Sequence, residues 1–304
     1  MRASRDRRGL VSSPAVKRLL VPAVAVAVSV LVAGAYGRGP LDEAMDEVRR
    51  EVGGTVSVEA FDGVLVVASD AVPEERQAAM EVLERTYRAL RRDFGMAAPG
   101  RPIAVYLWSD TERYSTYVED AFGTAPSTRF GVFRPAERKM VVNLESGRGT
   151  ISHELVHAMM ADDFPDAPAW LGEGLASLFD RPEFTASGSI RGRFSWRLPE
   201  LQVAIRNRYS PGLDDLLSMD HDAFYGRGSS LHYAAATHLC FHLQEKGLLR
   251  RLYRDCREGV AGDPSGREAL EAAVGMDLER YEAEWGSWAS SRIYPVAEVP
   301  WPAF

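Results

Sequence analysis

The five residues His153-Glu154-Leu155-Val156-His157 acquire a common purpose only if they are helical. At 3.6 residues per turn the two histidines stand one above the other on the same face, so two imidazole nitrogens can converge on one cation. Glu154 sits about 100° around the helix from His153. It is badly placed to fill the same coordination position and well placed to take a proton from water beside the metal, which is the work of a general base. A catalytic zinc site takes three protein ligands and keeps a fourth position open. Two histidines are one ligand short. Sixteen positions after His157, within Trp170-Leu171-Gly172-Glu173-Gly174, Glu173 supplies the carboxylate that fits the third place. The combination points to hydrolytic chemistry at one zinc ion (Zn2+) per chain.

The plain alternative makes His153 and His157 ordinary members of an amphipathic helix. Leu155, Val156, Ala158 and Met159 pack a core equally well in either case and decide nothing. The second element carries the weight. Pro168-Ala169-Trp170-Leu171 opens a helix, small glycines flank Glu173, and Leu175, Ala176, Leu178 and Phe179 provide an apolar side. That pattern sets a single carboxylate near the first turn.

On HELVH followed by PAWLGEGLA, the chain resembles the gluzincin metallopeptidases, specifically the peptidase MA-like families with H-E-L-x-H, a short loop and P-x-W-L-x-E-G-x-A. The resemblance implies His153, His157 and Glu173 as zinc ligands and Glu154 as base and proton shuttle. The His157-to-Glu173 connection is a few residues shorter than in aminopeptidase-type relatives, which points away from their exopeptidase specificity. Those relatives also carry a Tyr-x-x-Gly opening a helix, and Tyr225-Gly226-Arg227-Gly228 is the matching stretch. By resemblance the Tyr225 hydroxyl would donate to the oxyanion formed when water attacks the scissile carbonyl. Tyr225 also follows Phe224 in a segment that suits ordinary core packing. His232 is the second choice for the oxyanion role, with Tyr233 beside it.

His238 and His242 share the helical four-residue spacing around Cys240, but no acidic residue lies between them and Leu239, Phe241 and Leu243 mark a buried face. They read as structural or solvated histidines. His221, between Asp220 and Asp222, reads as loop. Cys240 and Cys256 either join two successive helices in an oxidising compartment or stay as separate thiols, and neither has zinc-ligand spacing.

The first 35 residues read as a targeting segment. They hold six basic residues and one acidic, a balance of +5 that leaves −12 for the remainder of a chain whose formal charge is −7. An acidic body argues against nucleic acid as a partner. From Leu19 to Ala35 no residue is charged, and the run closes on Ala33-Gly34-Ala35. This predicts an exported protein, with the segment either a cleaved signal peptide or a membrane anchor through residues 19–35.

With 304 residues and 46% hydrophobic content, the chain is long enough for a sizeable core. Residues 55–68 alternate and turn at Asp62-Gly63, a hairpin pattern. Apolar residues from Ala79 to Phe94 recur at three- and four-residue steps between Pro73 and Gly95, a long helix. Ile103 to Trp108 predicts a strand, Asp110 to Ala121 a short helix, and Phe130–Phe133 a partner for Met140–Leu144. By resemblance the last of these strands, which contains Asn143, would be the sheet edge that receives an extended peptide. Past Asp180, a polar, glycine-rich loop or flap from Thr185 to Arg193 precedes helices at 198–208, 229–245, 248–257, 267–274 and 278–290, and Pro295, Pro300 and Pro302 suggest an extended tail.

The expected class is α+β. The resemblance makes it zincin-like: residues 36–180 form a mixed sheet with the active-site helix and third-ligand helix, and residues 181–304 form a helical C-terminal lobe closing the cleft. The expected activity is zinc-dependent hydrolysis of a peptide or protein substrate, with endopeptidase action preferred. Two readings compete with it. One is a catalytically inactive peptidase-fold module that binds peptides or envelope proteins, and the other is a tethered interaction surface with a vestigial metal site.

Overall fold

Five segments between residues 57 and 143 pair into one mixed five-stranded sheet in the computed structural model, which describes residues 38–259 and 262–294. Strands β1 (Ser57–Phe61) and β2 (Leu65–Ser69) form the expected hairpin, turning where Asp62 and Gly63 both take positive φ. β3 (Ile103–Trp108) lies parallel to β2, in register Leu65 to Ile103. β4 (Gly131–Arg134) and β5 (Lys139–Asn143) are antiparallel to each other, with β5 parallel to β3. The spatial order is β1-β2-β3-β5-β4. The expected peptide-receiving edge therefore moves: β5, with Asn143, is an inner strand and β4 is the edge. Asn143 is buried, its amide donating to the Thr111 hydroxyl and the Arg129 carbonyl.

Both faces of the sheet are covered, and alternation along each strand sorts the side chains. Leu65, Val67, Ile103, Val105, Leu107, Met140 and Val142 face the main core. It is capped by helix α2 (Pro73–Ala89), which continues through a π-helical turn (Leu90–Phe94) to Gly95, and by helix α4 (Gly149–Asp163), which carries HELVH. Val66, Ala68, Tyr106, Trp108 and Val141 face a second cluster, covered by α1 (Pro40–Val52) and α3 (Thr111–Phe122). Helix α1 was not among the expected elements, although Leu41, Ala44, Met45, Val48 and Val52 carry a helical period.

Beyond Asp163 come α5 (Ala169–Leu178), a two-stranded hairpin of β6 (Glu183–Phe184) and β7 (Ile190–Arg191), and helices α6 (Leu198–Arg206), α7 (Leu213–Ser218), α8 (His221–Tyr225), α9 (Ser229–Glu245), α10 (Leu249–Arg257), α11 (Arg267–Val274) and α12 (Leu278–Ser291). The polar 185–193 stretch thus contains a small hairpin. His221 opens a short helix capped by the Asp220 carboxylate, which accepts from the Ala223 N–H. The main core runs without interruption from the sheet through α5, α9 and α12. The sequence division at Asp180 falls between elements that share it, and the described residues from Pro40 onward group as one compact unit.

Charge pairs pin the end of α4 to both halves of the chain. Asp162 accepts a bidentate pair from Arg138 and the Gly100 N–H. Asp163, half-buried with its side chain 5% exposed, accepts from Tyr253, Arg257 and the Ala97 N–H. The leader (1–35) and the proline-marked tail lie outside the described residues. Among those described, no helix is long and apolar enough to cross a membrane.

His238 and His242 are buried in α9. The His238 Nδ1–H faces the Ala234 carbonyl at 2.7 Å, and His242 stacks on Trp288 with its Nδ1 on the Tyr281 hydroxyl. Cys240 and Cys256 are free thiols. Burial lowers the His238 pKa to about 4, with the nearby Arg197 charge acting in the same direction. As pH falls from the ordinary histidine value of 6.5 to about 4, the unfolded chain takes up a proton at this position that the folded chain refuses. Stability should therefore drop with falling pH across that window, by about 3 kcal/mol from His238, and His242 shifts the same way. Urea unfolding of parent and His238→Gln protein between pH 7 and 4.5 checks this: the parent should show the steeper loss, and equal slopes would be wrong for a buried neutral imidazole.

Candidate metal centre

Helix α4 presents His153 and His157 toward α5, and α5 returns Glu173 to them. Pro168 fixes the extended turn before α5, and Trp170 holds the new helix through its indole N–H on the Ser265 carbonyl. The two Nε2 atoms are 3.2 Å apart. His157 Nε2 lies 3.5 Å from Glu173 Oε1, and His153 Nε2 lies 3.8 Å from Oε2. One ligand atom from each of the three residues falls within a 4.8 Å cluster.

The donor set fits a cation. Asp180 Oδ1 lies 2.9 Å from His153 Nδ1, so an N–H there leaves a bare lone pair on Nε2 facing His157 Nε2 and the carboxylate. Glu173 Oε2 is buried with no hydrogen-bond partner, which is costly for a carboxylate oxygen unless a cation meets it. His153, His157 and Glu173 could together hold a metal ion. Electrostatics agree. Burial favours a neutral His153, yet Asp180, Glu154 and Glu173 outweigh it and raise its pKa to about 9. Burial likewise opposes charge on Glu173, but His157 and His153 hold it well below the ordinary carboxylate range. A site that attracts a proton this strongly also attracts the cation that competes with it.

No protein-family model and no curated protein sequence matches the chain. The residues themselves carry the functional assignment.

Glu154 is almost fully buried beside the pair, and burial raises its pKa. Edge strand β4 lies directly against it. A Cβ on Gly131 would come within 2.9 Å of Glu154 Cγ and 2.7 Å of Thr150 Cγ2, so only glycine permits this approach. A cleft of about 630 Å³ opens over His153 and Glu154, lined also by Phe130 and Gly131 near the sheet edge and by Trp196, Arg197 and Tyr233 from the C-terminal segments.

The two residues expected at an oxyanion are placed differently. Tyr225, at the end of α8, donates its hydroxyl to Glu173 Oε1, so it reaches the centre but engages a ligand. His232 is buried with Nδ1 on the Phe224 carbonyl and its ring against Phe224. Tyr233, not His232, lines the cleft and interacts with Glu173. Burial and the Glu173 charge raise both tyrosine pKa values, which keeps the hydroxyls protonated as donors.

Asp180 is the functional residue that sequence reasoning missed. It lies just past α5 and fixes the His153 ring. A carboxylate backing a histidine ligand is worth about 10- to 100-fold in metal affinity. Asp180→Ala should weaken zinc binding by that factor in competition titration with a chromogenic chelator, while Asp180→Asn should retain part of it. Unchanged affinity in Asp180→Ala would remove Asp180 from the centre.

Proposed function

We propose that the chain is a zinc-dependent peptidase of the gluzincin type on a zincin-like scaffold. It would act as an endopeptidase on peptide or protein substrates outside the cytoplasm, with residues 19–35 as signal or membrane tether. The observation that carries the reading is the convergence of His153, His157 and Glu173 beside a buried Glu154, with His153 and Glu154 lining an open cleft. Zinc suits a set of two imidazoles and one carboxylate, and when bound it supplies Lewis acidity toward a carbonyl and toward water.

The remaining work belongs to the chain. Glu154, held by the close approach of β4, takes a proton from the attacking water and delivers it to the leaving amine. Its raised pKa suits both halves of that transfer. Asp180 keeps His153 in one tautomer and orientation. Tyr233, and Tyr225 once its hydroxyl leaves Glu173, offer O–H donors to the developing oxyanion. The edge of β4 offers unpaired backbone groups to an extended substrate beside Glu154.

The direct test is digestion of a peptide library by protein carrying one zinc equivalent. Cleavage should vanish with a chelator and return when zinc is restored, and internal bonds should be cut. Protein that binds zinc at this site and cleaves no peptide would overturn the reading and favour a binding module.

A further inference from the structure

Arg197 stands out among the charged groups around the cleft. It precedes α6, and its side chain is only 18% exposed. The guanidinium lies 4.3 Å from the centre of the Trp196 ring and 5.3 Å from that of Tyr233. These stacks hold its plane in place and add cation–π attraction without using an N–H donor. Its nearest carboxylate is Asp180, whose Oδ2 is a loose 4.0 Å away while Oδ1 is committed to His153. Its Nε is buried with no hydrogen-bond partner.

A guanidinium carries five N–H donors in a planar fork matched to a carboxylate. Leaving one buried and unmet costs free energy that a bound ligand recovers. Arg197 and Arg181 line the same cleft. The acidic groups lining it are Glu154 and Asp180, and Asp180 is already engaged with His153.

The geometry points to Arg197 as a specificity-determining residue that receives a carboxylate of the substrate close to the scissile bond. This inference rests on the peptidase reading and names its substrate class: peptides bearing an acidic side chain, or a chain-terminal carboxylate, beside the cut. Both sources present the same planar anion to the same fork. A neutral backbone carbonyl would also accept from Arg197, but it would be present in every peptide and would confer no selection.

The test uses the zinc-loaded full chain and matched fluorogenic peptides differing only by Glu or Gln at each position flanking the bond, each made with a free and an amidated C terminus. For the parent, Glu should exceed Gln in kcat/KM at one flanking position, or the free terminus should exceed the amide, by about ten- to a hundred-fold, the range of a hydrogen-bonded charge pair. The two arms identify which carboxylate is read. In Arg197→Gln the ratio should collapse toward one, and Arg197→Lys should keep part of it, because charge remains and the fork does not. Urea unfolding and zinc content show that each variant is folded and loaded.

Equal rates for Glu and Gln at every position, with no effect of amidation, would overturn the inference. So would an Arg197→Gln variant that slows all peptides by one common factor, the behaviour of a residue that merely positions Asp180 or grips backbone. Fluorescence anisotropy with Glu154→Gln protein reads the same selectivity as a ratio of Kd values. Selective binding of the carboxylate peptides without cleavage by the parent would sink the peptidase reading and leave the role of Arg197 standing. Cleavage without selectivity would sink the role of Arg197 alone.

Discussion

Glu154→Gln protein should bind a full equivalent of zinc and hydrolyse peptides on the order of 10²- to 10⁴-fold more slowly than the parent. The substitution keeps the shape of the side chain, so the close packing of Gly131 against it is preserved and the fold has no reason to shift. Replacing a buried carboxyl of raised pKa by a neutral amide also removes a desolvation cost. What the amide loses is the ability to take a proton and return it. The residues grouped so that they could hold the metal are His153, His157 and Glu173, so metal content should be untouched. His153→Ala and Glu173→Ala, by contrast, should lose zinc and activity together. Elemental analysis and kcat/KM on the four proteins separate base from ligand. A Glu154→Gln enzyme as fast as the parent would remove Glu154 from the chemistry, and an inactive parent would point to the binding-module alternative.

The triad that could hold a metal was legible in the sequence because its geometry is local. Two histidines one helical turn apart converge whatever surrounds them, and the Pro168-to-Glu173 stretch fixes a carboxylate near the start of the next helix. The α+β class and all five strands of the main sheet were legible for the same reason, since apolar runs such as Leu65–Ser69 and Ile103–Trp108 need no tertiary information to read as buried strands; the placing of the edge does. Phe130–Phe133 and Met140–Leu144 could be paired from sequence, but which of them lies outermost depends on β5 docking beside β3. Asp180 was missed because its contact with His153 spans twenty-seven positions and no motif announces it. His232 and Tyr233 show the limit most plainly. They are adjacent in α9, so a helical rotation of about 100° decides which one meets the cleft, and the packing of α9 against Phe224 turns Tyr233 there.

Gly149→Ala should be the most damaging single-methyl change near the centre. Gly149 opens α4, and a Cβ on it would run into the backbone carbonyl of Asp180. Backbone cannot swing aside as the end of a long side chain can, so relief requires the start of α4 and residue 180 to move apart. Overpacking typically costs 1–3 kcal/mol, and a collision with backbone belongs at the upper end, about 3 kcal/mol. In a chain of this size that lowers Tm by roughly 6–12 °C. The same displacement pulls the Asp180 carboxylate from His153, so zinc affinity should fall by about 10- to 100-fold, as far as in Asp180→Ala. Gly286→Ala supplies the contrast. Gly286 lies inside α12, where a Cβ would meet nothing within 4 Å, and alanine there should stabilise by about 0.5–1 kcal/mol through helix propensity. Opposite signs for the two glycines, read by urea midpoint, with zinc affinity lost in Gly149→Ala alone, would tie the metal centre to that helix start. A Gly149→Ala protein as stable and as tightly zinc-binding as the parent would mean that Asp180 approaches the helix from elsewhere.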